Sequence, residues 1–299
     1  MLIENRLIAY TLLALLVALI VSFLTTPIVK TFAYKVGAID VPKDARRMHK
    51  VPIPRLGGLA IFIGFMVSIL LFVEITAEMR SILLGAAIIV VLGVVDDIMA
   101  LPALLKFVVQ IVAALIPALN GVTIQAFSNP NIFSDNAYWV LGNLSIPLTV
   151  LWIVAITNSV NLIDGLDGLA NGVSAISATT VLVIALMGGQ FQVAVVMAAL
   201  VGACVGFMPY NMNPAKMFMG DTGATFLGYI LATMSIEGLF KFYAIISFAV
   251  PFLILGLPIF DTAFAFIRRI AHGQSPMHAD RSHIHHRLID MGLNQKQAV

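Results

Sequence analysis

Nine long apolar stretches, separated by short polar segments, constrain this chain more than any other feature of its sequence. Each is close to the roughly 20 residues that a helix needs to cross the ~30 Å hydrocarbon layer of a membrane. Sixty per cent of the residues are apolar and 11% are charged, a composition that excludes a soluble enzyme. We predict an all-α polytopic membrane protein with spans at about 7–29, 56–75, 80–98, 101–119, 145–163, 169–188, 190–210, 223–240 and 242–268.

Lys and Arg residues lie almost entirely on one side of the predicted spans. Fourteen fall on the side where the odd-numbered spans end, and three fall on the other side. Because positive residues concentrate in cytoplasmic connections, that side is predicted to be cytoplasmic and the N-terminus to lie outside. Residues 1–299 are predicted to form a single membrane-embedded domain, with a small hairpin in the outer loop at 120–144.

Groups of Asp, Asn and His residues interrupt the apolar pattern, and most of them follow an odd-numbered span. The groups are Asp96-Asp97, Asn158 to Gly168, Gly220-Asp221, Asp261, and His283 to Arg287. Because successive spans alternate in direction, these segments share one face and are predicted to form one site. Ten of the eleven Asp residues lie on this face and all four Glu residues on the other, which indicates short, rigid ligands.

Asp96 and Asp97 directly follow an apolar run. Adjacent carboxylates near lipid imply a counter-cation, most simply Mg²⁺, or a raised pKa on one of them. Neighbouring helical positions point about 100° apart, so the two side chains are predicted to face different partners. The alternative is a pair of interfacial carboxylates in water.

Lys106 lies inside the fourth span, where an unpaired charge is costly. It is therefore predicted to reach Asp96, Asp97 or a bound phosphate.

The polar run in the fifth span recurs every third residue, at Asn158, Asn161, Asp164 and Asp167. Gly165 and Gly168 are predicted to end the helix and to begin a loop that can hold a nucleotide or phosphate. Helix caps and interhelical hydrogen bonds would explain one or two of these residues but not all four.

Asp221 lies between two glycines, directly before an apolar stretch. Small neighbours allow its carboxylate to approach a metal closely. A helix cap is the alternative for this residue taken alone. The glycines Gly202 and Gly206, one turn apart, are predicted to permit close helix packing within the chain.

Two basic segments lie on the same predicted face. His283, His285, His286 and Arg287 have no Cys or suitably spaced carboxylate beside them, so they suit an anionic diphosphate better than a transition metal. A basic loop at the membrane surface is the alternative. The other segment precedes the second span, and membrane orientation explains most of its charge. It contains Arg46, Arg47, His49, Lys50 and Arg55.

In this order the motifs closely resemble those of the polyprenyl-phosphate N-acetylhexosamine-1-phosphate transferase family. The resemblance extends from about Asp40 to the end of the chain. It is carried by Asp40-Val-Pro, His49 to Gly58, Asp96-Asp97 with Leu101-Pro102, Lys106, Asn158 to Ala170, Asn211 to Gly223, and Gln274 to Leu288. The family has one or two further spans, ten or eleven in all, so we expect the chain to be truncated at its C-terminus.

The His-Ile-His-His-Arg segment at His283 is similar to the branch that uses UDP-N-acetylglucosamine. The peptidoglycan branch, phospho-N-acetylmuramoyl-pentapeptide transferase, instead has three histidines followed by Phe-Glu. The resemblance thus implies transfer of N-acetylglucosamine 1-phosphate from UDP-N-acetylglucosamine to undecaprenyl phosphate, with release of UMP. This would be the first membrane step of a cell-envelope glycan, such as teichoic acid or O-antigen, at the bacterial inner membrane.

The resemblance also implies roles for individual residues and a metal, Mg²⁺ or alternatively Mn²⁺. Asp221 and Asp97 would be linked to the metal, Asp96 would act as a base or position the lipid phosphate, and Lys106 would hold that phosphate. The alternative to direct attack is a two-step route with an Asp nucleophile and a phosphoryl-enzyme. The uridine diphosphate would contact Asn158, Asn161, Asp164, Asp167 and Asn211. The sugar or diphosphate would contact Lys50, His283, His285, His286 and Arg287. A homodimer is compatible with the resemblance, and a nucleic-acid partner is not expected.

Two other classes of protein place Asp and Asn residues within a membrane. A secondary transporter would have them near the bilayer midplane and would show an internal repeat, whereas here they cluster at one face and no repeat is evident. A CDP-alcohol phosphotransferase would have its own Asp-rich motif, which the sequence does not contain.

Overall fold

The computed structural model describes residues 2–42, 51–128, 138–240, 255–256, 258–262, 264, 288–289 and 291–298. The helices of this part are α1 Leu2–Val36, α2 Gly57–Phe72, α3 Ala77–Met99, α4 Ala103–Leu119, α5 Ser145–Leu162, α6 Leu169–Met187, α7 Phe191–Asn211, α8 Gly220–Ser235 and the short α9 Gln295–Ala298. A π-helical segment, Ile236–Phe240, continues α8. Helices α1 to α8 coincide with the first eight predicted spans, and most of the ninth, 242–268, lies outside the described residues.

Five of these helical segments are long and apolar enough to cross a membrane. They are Ile8–Val36, Ala77–Met99, Gly142–Leu162, Leu169–Met187 and Phe191–Asn211. Helices α2 and α4 are apolar but shorter, with 16 and 17 residues. The mostly helical structure and these segments agree with a multi-pass membrane protein.

Helix α1 extends beyond the predicted span at both ends. No glycine precedes Gly37, whose positive φ of 75° ends the helix, and Pro27 is accommodated within it. Lys30 and Lys35 lie beyond the predicted span, in the last two turns of α1. At about 1.5 Å per residue the helix is roughly 50 Å long, more than a bilayer core requires.

Helix α7 lies at the centre of one half of the bundle, packed against α1, α2 and α6. A side chain at Gly202 or Gly206 would overlap the backbone of α1 at Leu15 or Leu19. This confirms the prediction that the two glycines serve close packing within the chain. Helix α8 packs mainly against α3 and α5 and forms the other half.

Two small antiparallel strand pairs accompany the helices. Strand β1, Ile39–Asp40, pairs with β2, Ile53–Pro54, and this pair was not predicted. Strand β3, Ala126–Ser128, pairs with β4, Tyr138–Val140, which confirms the hairpin predicted within 120–144.

The start of α8 lies very close to the start of α2 and to the last turns of α3. A side chain at Gly58 would overlap the backbone of Gly223, and one at Gly93 would overlap Thr222. Main-chain hydrogen bonds join the same segments, from Gly57 N to Phe218 O at 2.9 Å and from Gly58 N to Met219 O at 2.8 Å. The contact carries the first turn of α8 to the C-terminal end of α3.

Replacing Gly58 by alanine is expected to separate α2 from α8. The added methyl group would overlap main-chain atoms that cannot rotate away, so we expect a loss of about 1–3 kcal/mol of stability. Thermal unfolding in detergent measures the effect. Gly172→Ala in α6 is the matched control, because nothing lies within 4 Å of the added methyl group. Equal unfolding temperatures for the two variants would contradict the close contact.

Candidate active site

Five polar residues from four helices meet at one end of the bundle. The last turns of α3 and α5 meet the first turns of α4 and α8 there. The residues are Asp96, Asp97, Lys106, Asn161 and Asp221. The structure thus confirms that the motifs after predicted spans 3, 5 and 7 come together, although more than 100 positions separate the first from the last.

Lys106 lies between two carboxylates. Its Nζ donates to Asp96 Oδ2 at 2.9 Å and to Asp221 Oδ2 at 3.0 Å. The main-chain N–H of Leu101 donates to the other Asp96 oxygen at 2.7 Å. The Lys106 and Asp221 side chains are 27% and 32% exposed, and we call the accessible surface beside them the cleft. The predicted reach of Lys106 toward Asp96 is confirmed.

Asp97 has a separate set of partners. Its Oδ1 accepts from Asp221 N and its Oδ2 from Thr222 N, both at 3.1 Å, and Thr222 Oγ1 donates to Oδ2 at 2.7 Å. The main-chain carbonyl of Asp97 accepts from Arg55 Nε and Nη2 at 3.2 and 3.0 Å. The two adjacent carboxylates therefore face different partners, as predicted. Both are buried, which differs from a water-exposed interfacial pair.

Asp221 lies in the first turn of α8, but its side chain does not cap that helix. Its Oδ2 accepts from Lys106, and Asn161 Nδ2 lies 3.5 Å away at the limit of a hydrogen bond. Its side chain is 32% exposed, in contrast to 2% for Asp97. The capping alternative is therefore wrong for Asp221, whose carboxylate faces the cleft.

Asn158 hydrogen-bonds within the protein. Its Nδ2 donates to Gln110 Oε1 at 2.6 Å and to Val154 O at 2.8 Å. Gln110 is buried and lies one turn after Lys106 on α4. The amide hydrogens of Asn158 are thus used to join α5 to α4, and only its oxygen is left for the predicted contact with a nucleotide.

Asp167 and Asn211 organise the segment between α7 and α8. Asp167 Oδ2 accepts from Asn213 Nδ2 at 2.9 Å and from Ala215 N at 3.0 Å. Asn211 is buried, and its Nδ2 donates to Met217 O at 3.2 Å. The substrate contacts predicted for these residues stay predictions, and the structure shows both of them bracing a loop. Asn213 Nδ2 also donates to Gln295 Oε1, at 2.7 Å, which attaches α9 to this loop.

Asp164 lies in the turn between α5 and α6, where negative charge accumulates. Burial raises its pKa to about 8, and the nearby charges of Asp221, Asp97 and Asp167 act in the same direction. The turn itself ends α5 at Leu162, and Gly168, with a φ of 81°, leads into α6. The predicted change from helix to loop at the glycines is confirmed. Near this turn, Asp164 is surrounded by three other acidic residues, Asp97, Asp167 and Asp221.

The donor atoms of the cleft fit Mg²⁺. Among the described residues, no group of three or more His, Cys, Asp or Glu side chains is placed to hold a metal ion. Mg²⁺ commonly uses one or two carboxylates and completes its shell with water and substrate phosphates. Asp221, whose side chain is 32% exposed, and the neighbouring Asn161 offer oxygen atoms of this kind, and the Asp96 and Asp97 carboxyl groups nearby add negative charge that a cation would offset.

Several predicted site residues lie outside the part of the chain that the structure describes. They are Lys50, His283, His285, His286 and Arg287.

Conversely, Arg55, Gln110 and Thr222 contact the site, although the sequence analysis assigned them no role in it. Gln110 had a sequence signal, since an amide one turn from Lys106 in an apolar span needs a partner. The sequence does not single out Arg55 from its basic neighbours. Asp261 is buried in a helical segment, 258–262.

Comparison of the sequence with known proteins identifies one matching family model and several similar proteins. The sequence model of glycosyl transferase family 4 matches residues 79–239. A probable undecaprenyl-phosphate N-acetylglucosaminyl 1-phosphate transferase of Bacillus subtilis is 45% identical over 292 residues, 95% of this chain and 80% of the relative. A decaprenyl-phosphate N-acetylglucosaminephosphotransferase of Mycolicibacterium smegmatis is 34% identical over 95% of this chain and 76% of the relative. An undecaprenyl-phosphate alpha-N-acetylglucosaminyl 1-phosphate transferase of Salmonella typhi is 30% identical over 96% and 80%.

Proposed function

The chain belongs to glycosyl transferase family 4 and is a phosphoglycosyltransferase, and from this premise we propose its reaction. It transfers N-acetylglucosamine 1-phosphate from UDP-N-acetylglucosamine to undecaprenyl phosphate and releases UMP. The observation that carries the proposal is the partly exposed Lys106 side chain, whose ammonium group lies between the carboxylates of Asp96 and Asp221. The names of the relatives support the two substrates.

The reaction joins two anions, so charge neutralisation and alignment dominate its barrier. An oxygen of the lipid phosphate attacks the β-phosphorus of the UDP-sugar, and the bond from that phosphorus to the bridging oxygen breaks. UMP leaves with the electron pair. Lys106 attracts the lipid phosphate and holds it beside Asp96, which positions the attacking oxygen. A phosphomonoester has a second pKa near 6, so the attacking group is already largely deprotonated at neutral pH.

Asp221 is the residue proposed to hold Mg²⁺, with Mn²⁺ as an alternative. When bound, the metal supplies positive charge against the diphosphate and the leaving UMP. Asn161 lies beside Asp221 and points its amide to the same oxygen, so it helps to fix the orientation of the carboxylate. The sequence also predicted a metal role for Asp97.

The nucleotide is proposed to bind next to the turn between α5 and α6. Asn161 lies in the last turn of α5 and Asp164 in the turn that follows, and Asp167 holds the adjoining loop. The sugar and diphosphate are proposed to contact the basic segments with Lys50 and His283, His285, His286 and Arg287.

The site is proposed to lie at the cytoplasmic face of the bacterial inner membrane, with nine spans in this chain and the N-terminus outside. The distribution of Lys and Arg supports this orientation. Helix α4 presents exposed apolar side chains close to Lys106, including Leu104, Phe107 and Val108. The polyprenyl tail is proposed to lie along such a surface while its phosphate enters the cleft.

Transfer of a lipid-linked phosphosugar by purified protein tests the proposal. The full chain in detergent, with undecaprenyl phosphate, radiolabelled UDP-N-acetylglucosamine and Mg²⁺, is expected to form a labelled lipid. Added UMP should reverse the reaction, and chelation of divalent cations should stop it. The peptidoglycan precursor, UDP-N-acetylmuramoyl-pentapeptide, is the matched alternative donor. Absence of label in the lipid with every UDP-N-acetylhexosamine would contradict the proposed function.

A further inference from the structure

Asp97 performs a different task from its neighbour Asp96. We propose that Asp97 is a positioning residue that fixes the first turn of α8, and with it the direction of Asp221, and that it is not a metal ligand. This inference rests on the proposed function for the role of Asp221, and it replaces the metal role that the sequence predicted for Asp97.

The start of α8 needs acceptors that its own sequence does not supply. The first N–H groups of any α-helix have no partner within the helix. Met219 occupies the capping position of α8, and its side chain makes no capping hydrogen bond. Asp97, from α3, accepts from the N–H groups of Asp221 and Thr222 and from the hydroxyl of Thr222. A carboxylate from another helix thus caps α8.

The Asp97 carboxylate has little capacity left for a cation. An ionised carboxylate offers about four lone-pair directions, and three donors already occupy positions on Asp97. Arg55 adds a fourth, more distant positive group, with its Nε 3.9 Å from Oδ1. The side chain is 2% exposed, so a metal would have to displace main-chain donors to reach it. Asp221 has a partly exposed carboxylate, 32% of its side chain, and needs no such displacement of main-chain donors.

The glycine at position 220 is a second observation that supports the contact between Asp97 and the start of α8. Its φ of 73° is in the left-handed region, and a Cβ there would overlap the Asp97 carboxylate. A residue other than glycine would therefore push α8 away from its cap. On the other side, Arg55 holds the Asp97 main-chain carbonyl and attaches the start of α2 to the end of α3.

The cap determines where the Asp221 side chain points. Asp221 both donates its N–H to Asp97 and projects its carboxylate to Lys106, so a shift in the first contact moves the second. Small displacements of a reacting constellation cost about 100-fold in rate. Asp97 and Thr222 consequently act on catalysis together, through the position of Asp221.

Three substitutions test the proposal. Thr222→Val removes the hydroxyl donor to Asp97 and leaves the carboxylates of Asp97 and Asp221 in place. Asp97→Asn keeps the shape of the side chain but turns an NH₂ group toward the α8 amides. Thr225→Val, one turn further along α8, is the matched control, because its hydroxyl donates to Asp221 O and not to Asp97.

Hydrogen–deuterium exchange of the metal-free protein is the first measurement. Amides of Asp221 and Thr222 are expected to exchange about tenfold faster in Thr222→Val and in Asp97→Asn than in wild type, and not in Thr225→Val. This measurement needs no activity, so it tests the cap even if the proposed transferase reaction is not found. Unchanged exchange in both Thr222→Val and Asp97→Asn would overturn the proposal.

Steady-state kinetics are the second measurement. We expect kcat to fall about tenfold in Thr222→Val and about 100-fold in Asp97→Asn, with little change in the KM for the UDP-sugar. The double variant should be no worse than Asp97→Asn, because both changes break one contact. A wild-type rate in Thr222→Val, together with a much higher Mg²⁺ requirement in Asp97→Asn, would instead make Asp97 a metal ligand. If Asp97→Asn does not fold, Thr222→Val alone decides between these results.

Discussion

Asp221→Asn is expected to lower turnover about 100- to 1,000-fold while the protein remains folded. Asparagine has the same shape and keeps an oxygen that can accept from Lys106, so the first turn of α8 is not disturbed. It lacks the negative charge that would hold Mg²⁺ against the diphosphate. Because Asp97 provides the cap of α8, the stability of that helix does not depend on the Asp221 side chain.

The rate of lipid-linked sugar formation and the unfolding temperature together measure this effect. Glu74→Gln is the control for the same change of chemistry, since Glu74 is exposed before the opposite end of α3. The control should retain wild-type turnover. Activity of Asp221→Asn within about threefold of wild type would remove Asp221 from the proposed metal site.

Lys106→Met is expected to have the second largest effect. Methionine approximates the length of the lysine but leaves Asp96 and Asp221 next to each other without a cation between them. Turnover should fall about 100-fold, because the lipid phosphate loses the positive group that attracts it. Stability should fall by about 1–3 kcal/mol, less than for a fully buried pair, since Lys106 is 27% exposed.

The effect of Mg²⁺ on stability tests the role of the Lys106 charge separately from activity. Mg²⁺ should raise the unfolding temperature of Lys106→Met more than that of wild type, since the metal replaces part of the missing charge. Removing one of the two carboxylates in the double variant Lys106→Met with Asp221→Asn should restore stability relative to Lys106→Met alone. Equal stability of wild type, Lys106→Met and the double variant would show that the ion pairs contribute little. Lys106→Arg is expected to recover activity only in part, because a planar guanidinium does not replace a compact ammonium group.

The helices and the presence of one polar site were both predictable from the sequence. Apolar stretches of membrane-spanning length coincide with α1 to α8. The alternation of span direction, applied to Asp96, Asn161 and Asp221, correctly placed these residues together. Lys106 was predictable as a partner of the acidic residues, because a charge in an apolar span is costly unless paired.

The different roles of the neighbouring residues Asp96 and Asp97 were not predictable from the sequence. Asp96 and Asp97 are chemically identical in the sequence, and only the packing of α8 against α3 shows that one meets Lys106 and the other meets main-chain amides. The glycines Gly58 and Gly93 appear as ordinary helix residues until the adjoining helix is known. Asp167 and Asn211 likewise look like substrate ligands until the loop that they brace is seen.

The sequence alone therefore determined that this chain forms apolar helices and places nearly all of its Asp residues at one end of them. Apolar length and the placement of charge depend only on local composition and on the cost of moving polar groups into lipid. The tertiary structure decided which carboxylate faces the cleft and which is enclosed. That choice depends on contacts between residues far apart in the chain, where a glycine or a free N–H group on one helix sets the environment of a side chain on another.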